Sequence, residues 1–228
     1  MTVDENKFCF IICVNDDLFF NECVQYIQWL EVPKGVEVEL LEIRDAVSMT
    51  SGYNEGMRSS NAKYKVYMHQ DVFIINRHFI SDIISLFQFD SSIGMIGMVG
   101  SKKIPEHCMM WNGSRVVRGP QRVSWDDYRY KREDGFWVVE GIDGLLMVTQ
   151  YDVPWREDLF DGWDFYDLSQ SFEMRRRGYH IIVPVQNHIW FNHDDKTILS
   201  LWDYNKYRKI FMREYMGKNG GKECSKEL

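Results

Sequence analysis

An unbroken apolar run, Phe8 to Val14 (FCFIICV), stops abruptly at Asn15-Asp16-Asp17. A run of β-formers with no polar alternation reads as a strand covered on both faces, as in a parallel sheet. A parallel neighbour requires a crossover, and the next segment supplies one. Asp16 or Asp17 can cap a helix running to about Leu30, with Leu18, Cys23, Tyr26, Ile27 and Leu30 on its apolar side. After the turn at Pro33-Lys34-Gly35, Val36 to Ile43 alternates as a second strand. Ser51 to Ala62 is polar at first and predicts a helix from Tyr53. Tyr64 to Met68 reads as a strand, Phe79 to Phe89 as an amphipathic helix and Ile93 to Val99 as a strand. The alternation predicts an α/β fold with right-handed crossovers and helices on both faces of a mostly parallel sheet. Ligands bind such sheets beyond the C-terminal strand ends, which singles out Asn15, Asp16, Asp45 and Asp71.

Beyond Ser101 the periodicity fades. The stretch to Phe136 carries Arg115, Arg118, Arg122, Arg129 and Arg132 among many aromatics. Such a segment suits a binding loop, and the arginines suit either a diphosphate clamp or a solvated basic face. Strand character returns from Trp137 to Val148, around Gly141-Ile142-Asp143-Gly144. Asp161 to Arg177 reads as a loop entering a helix stopped by Gly178, followed by a strand from Tyr179 to Val185 and a helix from Tyr204 to Tyr215. With no repeat and no linker, the expectation is one domain over residues 1–228, its core at about 7–215 and a mobile C-terminal tail.

Composition narrows the function. Lys plus Arg number 27 against 34 Asp plus Glu, a net charge of -7, which argues against a nucleic-acid or anionic-membrane binder working by bulk charge. No apolar stretch approaches the roughly 20 residues of a transmembrane helix. The five cysteines form no CxxC pair, and the N-terminus has no signal-peptide layout, so a cytoplasmic protein with free thiols is expected. Phosphate loops of GxxxxGK[ST] type, GxGxxG, HExxH and GxSxG are all missing.

Three constellations remain. In KYKVYMHQDVFII an apolar strand delivers His69, Gln70 and Asp71 to the sheet edge. Asp71 fits either a turn aspartate or a carboxylate holding a divalent cation against a diphosphate. In Asp161-Gly-Trp-Asp164-Phe-Tyr-Asp167, Asp164 fits a helix N-cap and Asp167 an acid of the first turn, both favoured by the helix dipole without any catalysis. His193, beside Asp194 and Asp195, fits a metal ligand or an ordinary surface histidine.

Taken in order, FCFIICVND, the Tyr53-Asn54-Glu55-Gly56 stretch before Asn61-Ala62, MHQDV, VEGIDGLLM, DGWDFYDLSQSFEMRRRGY and IWFNHDD resemble the GT-A-fold nucleotide-diphospho-sugar transferases. The likeness is to the glycosyltransferase-family-2-like group that includes the streptomycin biosynthesis protein StrF, and it spans Lys7 to Tyr215. The resemblance implies transfer of a sugar from a nucleoside-diphosphate donor, a UDP-sugar first, to a hydroxyl acceptor such as a carbohydrate. It also implies inversion and dependence on Mn2+ or Mg2+. Asn15, Asp16, Asp45, Asn54 and Gly56 then fall on the nucleotide side, and Asp143 and Gly144 face sugar and acceptor. Asp71 and His193 become metal contacts, Asp167 the base and Asp164 the cap, with Asp164 the alternative base. The usual DxD acid pair is here His69-Gln70-Asp71, a departure that also admits a weak or inactive nucleotide-sugar or partner-binding domain. A nucleotidyltransferase would need a Gly-rich basic loop where Asn15-Asp16-Asp17 stands. A homodimer is compatible with all of these readings.

Overall fold

The computed structural model describes residues 2–112, 115–116, 135–186, 188–194 and 201–217. Strand β1 (Asp4–Val14) begins earlier than its apolar run and leads to α1 (Asp17–Gln28). Asp16 is the N-cap of α1, its Oδ1 accepting from the amides of Leu18 at 2.9 Å and Phe19 at 3.3 Å. Asp16→Ala should therefore cost about 1 kcal/mol of stability in a denaturant melt while leaving ligand binding unchanged.

Strand β2 (Glu37–Arg44) precedes α2 (Met49–Ser59). This helix starts at Met49 rather than Tyr53. Ser48 and Ser51 form a reciprocal capping box, so the polar stretch expected to be irregular is the helix's first turn. Then come β3 (Ala62–His69), β4 (Val72–Ile74), α3 (Phe79–Phe89) and β5 (Ile93–Gly97). Short strands follow at β6 (Gly100–Ser101), β7 (Arg115–Val116), β8 (Phe136–Val139), β9 (Gly141–Ile142) and β10 (Leu146–Thr149). The chain closes with α4 (Tyr166–Arg176), β11 (His180–Pro184), β12 (Phe191–His193) and α5 (Leu201–Tyr215). Arg118, Arg122, Arg129, Arg132 and the tail beyond Gly217, expected to be mobile, lie outside the described residues.

The central sheet has seven strands in the order β2-β1-β3-β10-β5-β11-β8. β1 runs parallel to β2 and β3, and β11 parallel to β5, whereas β10 is antiparallel between β3 and β5 and β8 is antiparallel at the edge. Side chains of β1 alternate between two cores, as a doubly covered strand requires. Phe8, Phe10 and Ile12 pack with Cys23 and Ile27 of α1 and Ile80 and Ile83 of α3. Cys9 and Ile11 pack on the other face with Tyr53 and Met57 of α2 and Met174 of α4. A third core joins Phe165, Leu168 and Phe172 to Tyr204, Tyr207 and Phe211 of α5.

Register sets the site. Cys13 pairs with both Ile43 and His69, and Val14 with Arg44. The C-terminal ends of β1, β2 and β3 therefore finish nearly level, and the residues after them share one edge. Separately, β12 pairs antiparallel with β4, setting His193 opposite Val72. Among the described residues, no helix is long and apolar enough to cross a membrane.

Candidate active site

A pocket of about 450 Å³ opens at that edge. Cys13, Val14, Ile43, Ala46 and Met49 supply apolar wall, Asn15, Asp45, Gln70 and Asp71 supply polar atoms, and Trp163 stands at the rim, half exposed. Burial pushes the Cys13 thiol up to about 12, so it meets a ligand as a neutral group. Asp45 turns through φ 56, a left-handed conformation that aspartate tolerates better than most residues.

Gln70, given no role of its own in the sequence reading, ties the edge together. Its Oε1 accepts from the backbone amides of Asn15 at 2.9 Å and Asp16 at 3.0 Å, and its Nε2 donates to Asn15 Oδ1 at 2.5 Å. The β1 and β3 ends thus form one rigid floor.

Asp71 and His193, expected together, do meet. His193 Nε2 lies 3.5 Å from Asp71 Oδ1, and the Asp194 amide donates to the Asp71 carbonyl at 3.0 Å. His69 joins them with its Nδ1 4.0 Å from the same oxygen, and one ligand atom from each of the three residues lies within 4.8 Å of the others. Burial raises the Asp71 carboxyl, but the hydrogen bond from His193 and the fields of both imidazoles outweigh it and hold Asp71 below the usual carboxylate range. One carboxylate and two imidazoles form a donor set of the kind that holds divalent cations. The histidine in the place of the first acid is therefore a third potential ligand rather than a lost one.

The same histidine reaches the second half of the site. Tyr166 Oη lies 2.5 Å from His69 Nε2. Gly144 sits directly over this tyrosine; a Cβ there would fall 2.1 Å from the hydroxyl, so only glycine fits. The Gly144 amide donates at 3.0 Å to Oδ2 of Asp167, whose Oδ1 accepts from Leu168 at 2.7 Å. Asp143 Oδ1 accepts from the Leu145 amide at 3.1 Å. Burial first, and the neighbouring Asp143 charge second, push the Asp167 carboxyl up to about 7 against the pull of these amides.

Several expectations need correction. Asp164 does not cap α4. Phe165, at φ 62, occupies the N-cap position and no side chain caps the helix. Asp164 is half buried, and burial together with Asp203 raises its carboxyl. Asn54 and Gly56 do not reach the pocket. Asn54 is 1% exposed, and its side-chain amide makes two 2.9 Å bonds with the Trp155 backbone. Gly56 lies against β1, where a Cβ would come within 2.3 Å of Ile11. Asp16 has its carboxylate committed to the α1 cap.

A family model described as a glycosyltransferase-like family matches residues 9–215. No curated protein matches the sequence. Among solved structures, the mannosyltransferase PcManGT from Pyrobaculum calidifontis, in complex with GDP-Man and Mn2+, superposes with a TM-score of 0.60 at 12% identity, over 86% of this chain and 59% of that one. GalNAc-T7 with UDP, GalNAc and Mn2+ gives 0.62 at 9% identity, over 90% and 48%. The catalytic domain of Drosophila beta1,4galactosyltransferase 7, in complex with xylobiose, gives 0.53 at 14% identity, over 92% and 80%. The chain thus spans less than two thirds of the first two. At such identities the likeness speaks for the fold, which is that of GT-A glycosyltransferases. The chain belongs to the glycosyltransferase-like family whose model covers it.

Proposed function

We propose that this protein transfers a sugar from a nucleoside-diphosphate donor, a UDP-sugar first, to a hydroxyl acceptor, with inversion and with a divalent cation. The observation carrying this reading is the pocket at the β1, β2 and β3 ends leading onto His69, Asp71 and His193, with Asp167 joined to them through Tyr166 and Gly144. Asn15 and Asp45 would hold the nucleoside against the apolar wall. Asp71, His69 and His193 would hold the cation at the diphosphate. When bound, the cation supplies positive charge to the departing diphosphate.

Asp143 and Gly144 would face sugar and acceptor. Asp167 would take the acceptor hydroxyl's proton as that oxygen bonds to the anomeric carbon, and the bond to the diphosphate oxygen breaks with its electrons. A carboxyl raised to about 7 is matched to that proton transfer near neutral pH. Asp16, Asn54 and Gly56 have no part in this reading. The weak or inactive alternative rested on a lost acid; the place of His69 in the ligand cluster supports the active reading. The order of motifs supports the StrF-like group. Among the described residues, the unpaired cysteines Cys9, Cys13, Cys23 and Cys108 agree with a reducing compartment such as the cytoplasm.

The test is a thermal-shift panel of nucleoside diphosphates with and without Mn2+. A nucleotide at a hundred times its dissociation constant should stabilise the fold by roughly 2.7 kcal/mol. No shift with any nucleotide, metal present or not, would sink the transferase reading.

A further inference from the structure

We infer that the cation site prefers nitrogen-accepting transition metals (Fe2+, Co2+, Zn2+) to Mg2+ and Ca2+, because two of its three protein ligands are the imidazoles of His69 and His193. The inference rests on the proposed function only in taking this cluster as the cation site.

Mg2+ is a hard ion that binds through one or two carboxylates, phosphate oxygens and retained waters. An acid pair would offer it two negative charges. Among the described residues, Asp71 is the only carboxylate of the cluster, and the other two donors are neutral nitrogens when they ligate. Mg2+ therefore loses half the electrostatic attraction and receives ligands it accepts poorly. Imidazole suits iron, zinc and their neighbours in the series, and two histidines with one carboxylate leave open positions for further oxygen ligands.

Each ligand is also held by the protein itself. Tyr166 is 5% exposed and wedged against the rings of Tyr53 and Trp155. Its hydroxyl engages His69 Nε2 and so turns Nδ1 toward Asp71. An outer partner of this kind fixes both ring orientation and tautomer of a ligating histidine. His193 ends β12, whose pairing with β4 places it beside Asp71. The three donors are thus arrayed before any nucleotide arrives, and the cation should bind first.

The experiment is isothermal titration of the metal-stripped full chain, without nucleotide, using Mn2+, Co2+, Zn2+, Mg2+ and Ca2+ in turn. Co2+ and Zn2+ should bind at least about tenfold more tightly than Mg2+, a difference of about 1.4 kcal/mol. His69→Asp should narrow or invert that ratio, and His193→Asp serves the same purpose if the first variant does not fold. Tyr166→Phe should weaken the transition ions by roughly 10–100-fold, with a nitrogen coupling to Mn2+ altered in pulsed electron paramagnetic resonance. Equal affinities for Zn2+ and Mg2+, no binding of any cation without nucleotide, or an unchanged ratio in the aspartate variants would overturn the inference. Nucleotide thermal shifts fail or succeed independently of this ratio, so the two readings can fall separately.

Discussion

Asp167→Asn should lower turnover by roughly 10²- to 10⁴-fold, the range expected when a positioned base is lost. Asparagine keeps the shape and can still accept one of the two amide hydrogen bonds, from Gly144 or Leu168, so the fold should survive. The parent's rate should rise with pH through about 7 and level above it, because burial and Asp143 keep Asp167 protonated below that point. The variant's residual rate should lack that step. Stability carries a matching signature. Below the ordinary aspartate value, Asp167 is protonated both folded and unfolded and has no effect. As pH rises from about 4 to 7 the unfolded chain ionises while the folded one does not, so the parent loses stability across that window and no further above it. The melting temperature of Asp167→Asn minus that of the parent should therefore climb from pH 4 to 7 and then hold. Asp164→Asn is the comparator, since Asp164 caps nothing and is half buried. An Asp164 variant without turnover beside an active Asp167 variant would exchange the two roles.

Asp71→Asn should weaken the metal dependence of nucleotide binding by at least roughly 10²-fold, more than the loss of an outer partner of a ligand costs. Asp71 is the carboxylate shared by His69 and His193, and its low proton affinity keeps it available as an anion. The neutral amide would leave two imidazoles facing each other without a counter-charge. Nucleotide alone should still shift the melt, since Asn15, Asp45 and the apolar wall are untouched. His193→Ala should act in the same direction and less strongly. If Asp71→Asn responds to Mn2+ as the parent does, the cation lies elsewhere.

Much of the architecture is legible because it is written in short-range patterns. The alternation of buried strands and amphipathic helices predicts the α/β sheet, and α3 falls on Phe79–Phe89 as its apolar spacing requires. The polar residues after β1, β2 and β3 line the pocket because those strands are parallel neighbours in nearly level register. Periodicity and turn chemistry act over a few residues, and these features need nothing more.

The proposed catalytic constellation depends on contacts that no local pattern encodes. His69 looks like a lost acid in the sequence; the β12 pairing with β4 turns it into a partner of His193. Asn54 and Gly56 look like ligand contacts, and they become packing residues only once Trp155 and Ile11 lie against them. Asp164 has the side chain of an N-cap, but the ring of Phe165 docks between Tyr204 and Phe211 of α5, and the left-handed turn at Phe165 starts the helix instead. Asp167 reads as an ionised first-turn acid. Its raised proton affinity comes from burial beneath Gly144 and from Asp143, which the chain brings alongside from a distant strand loop. The sequence alone determined which chemical groups stand at the ends of which strands, because side-chain periodicity is local. Tertiary packing decided which of them meet and in what protonation state, because dielectric, charge and strand pairing depend on neighbours far away along the chain.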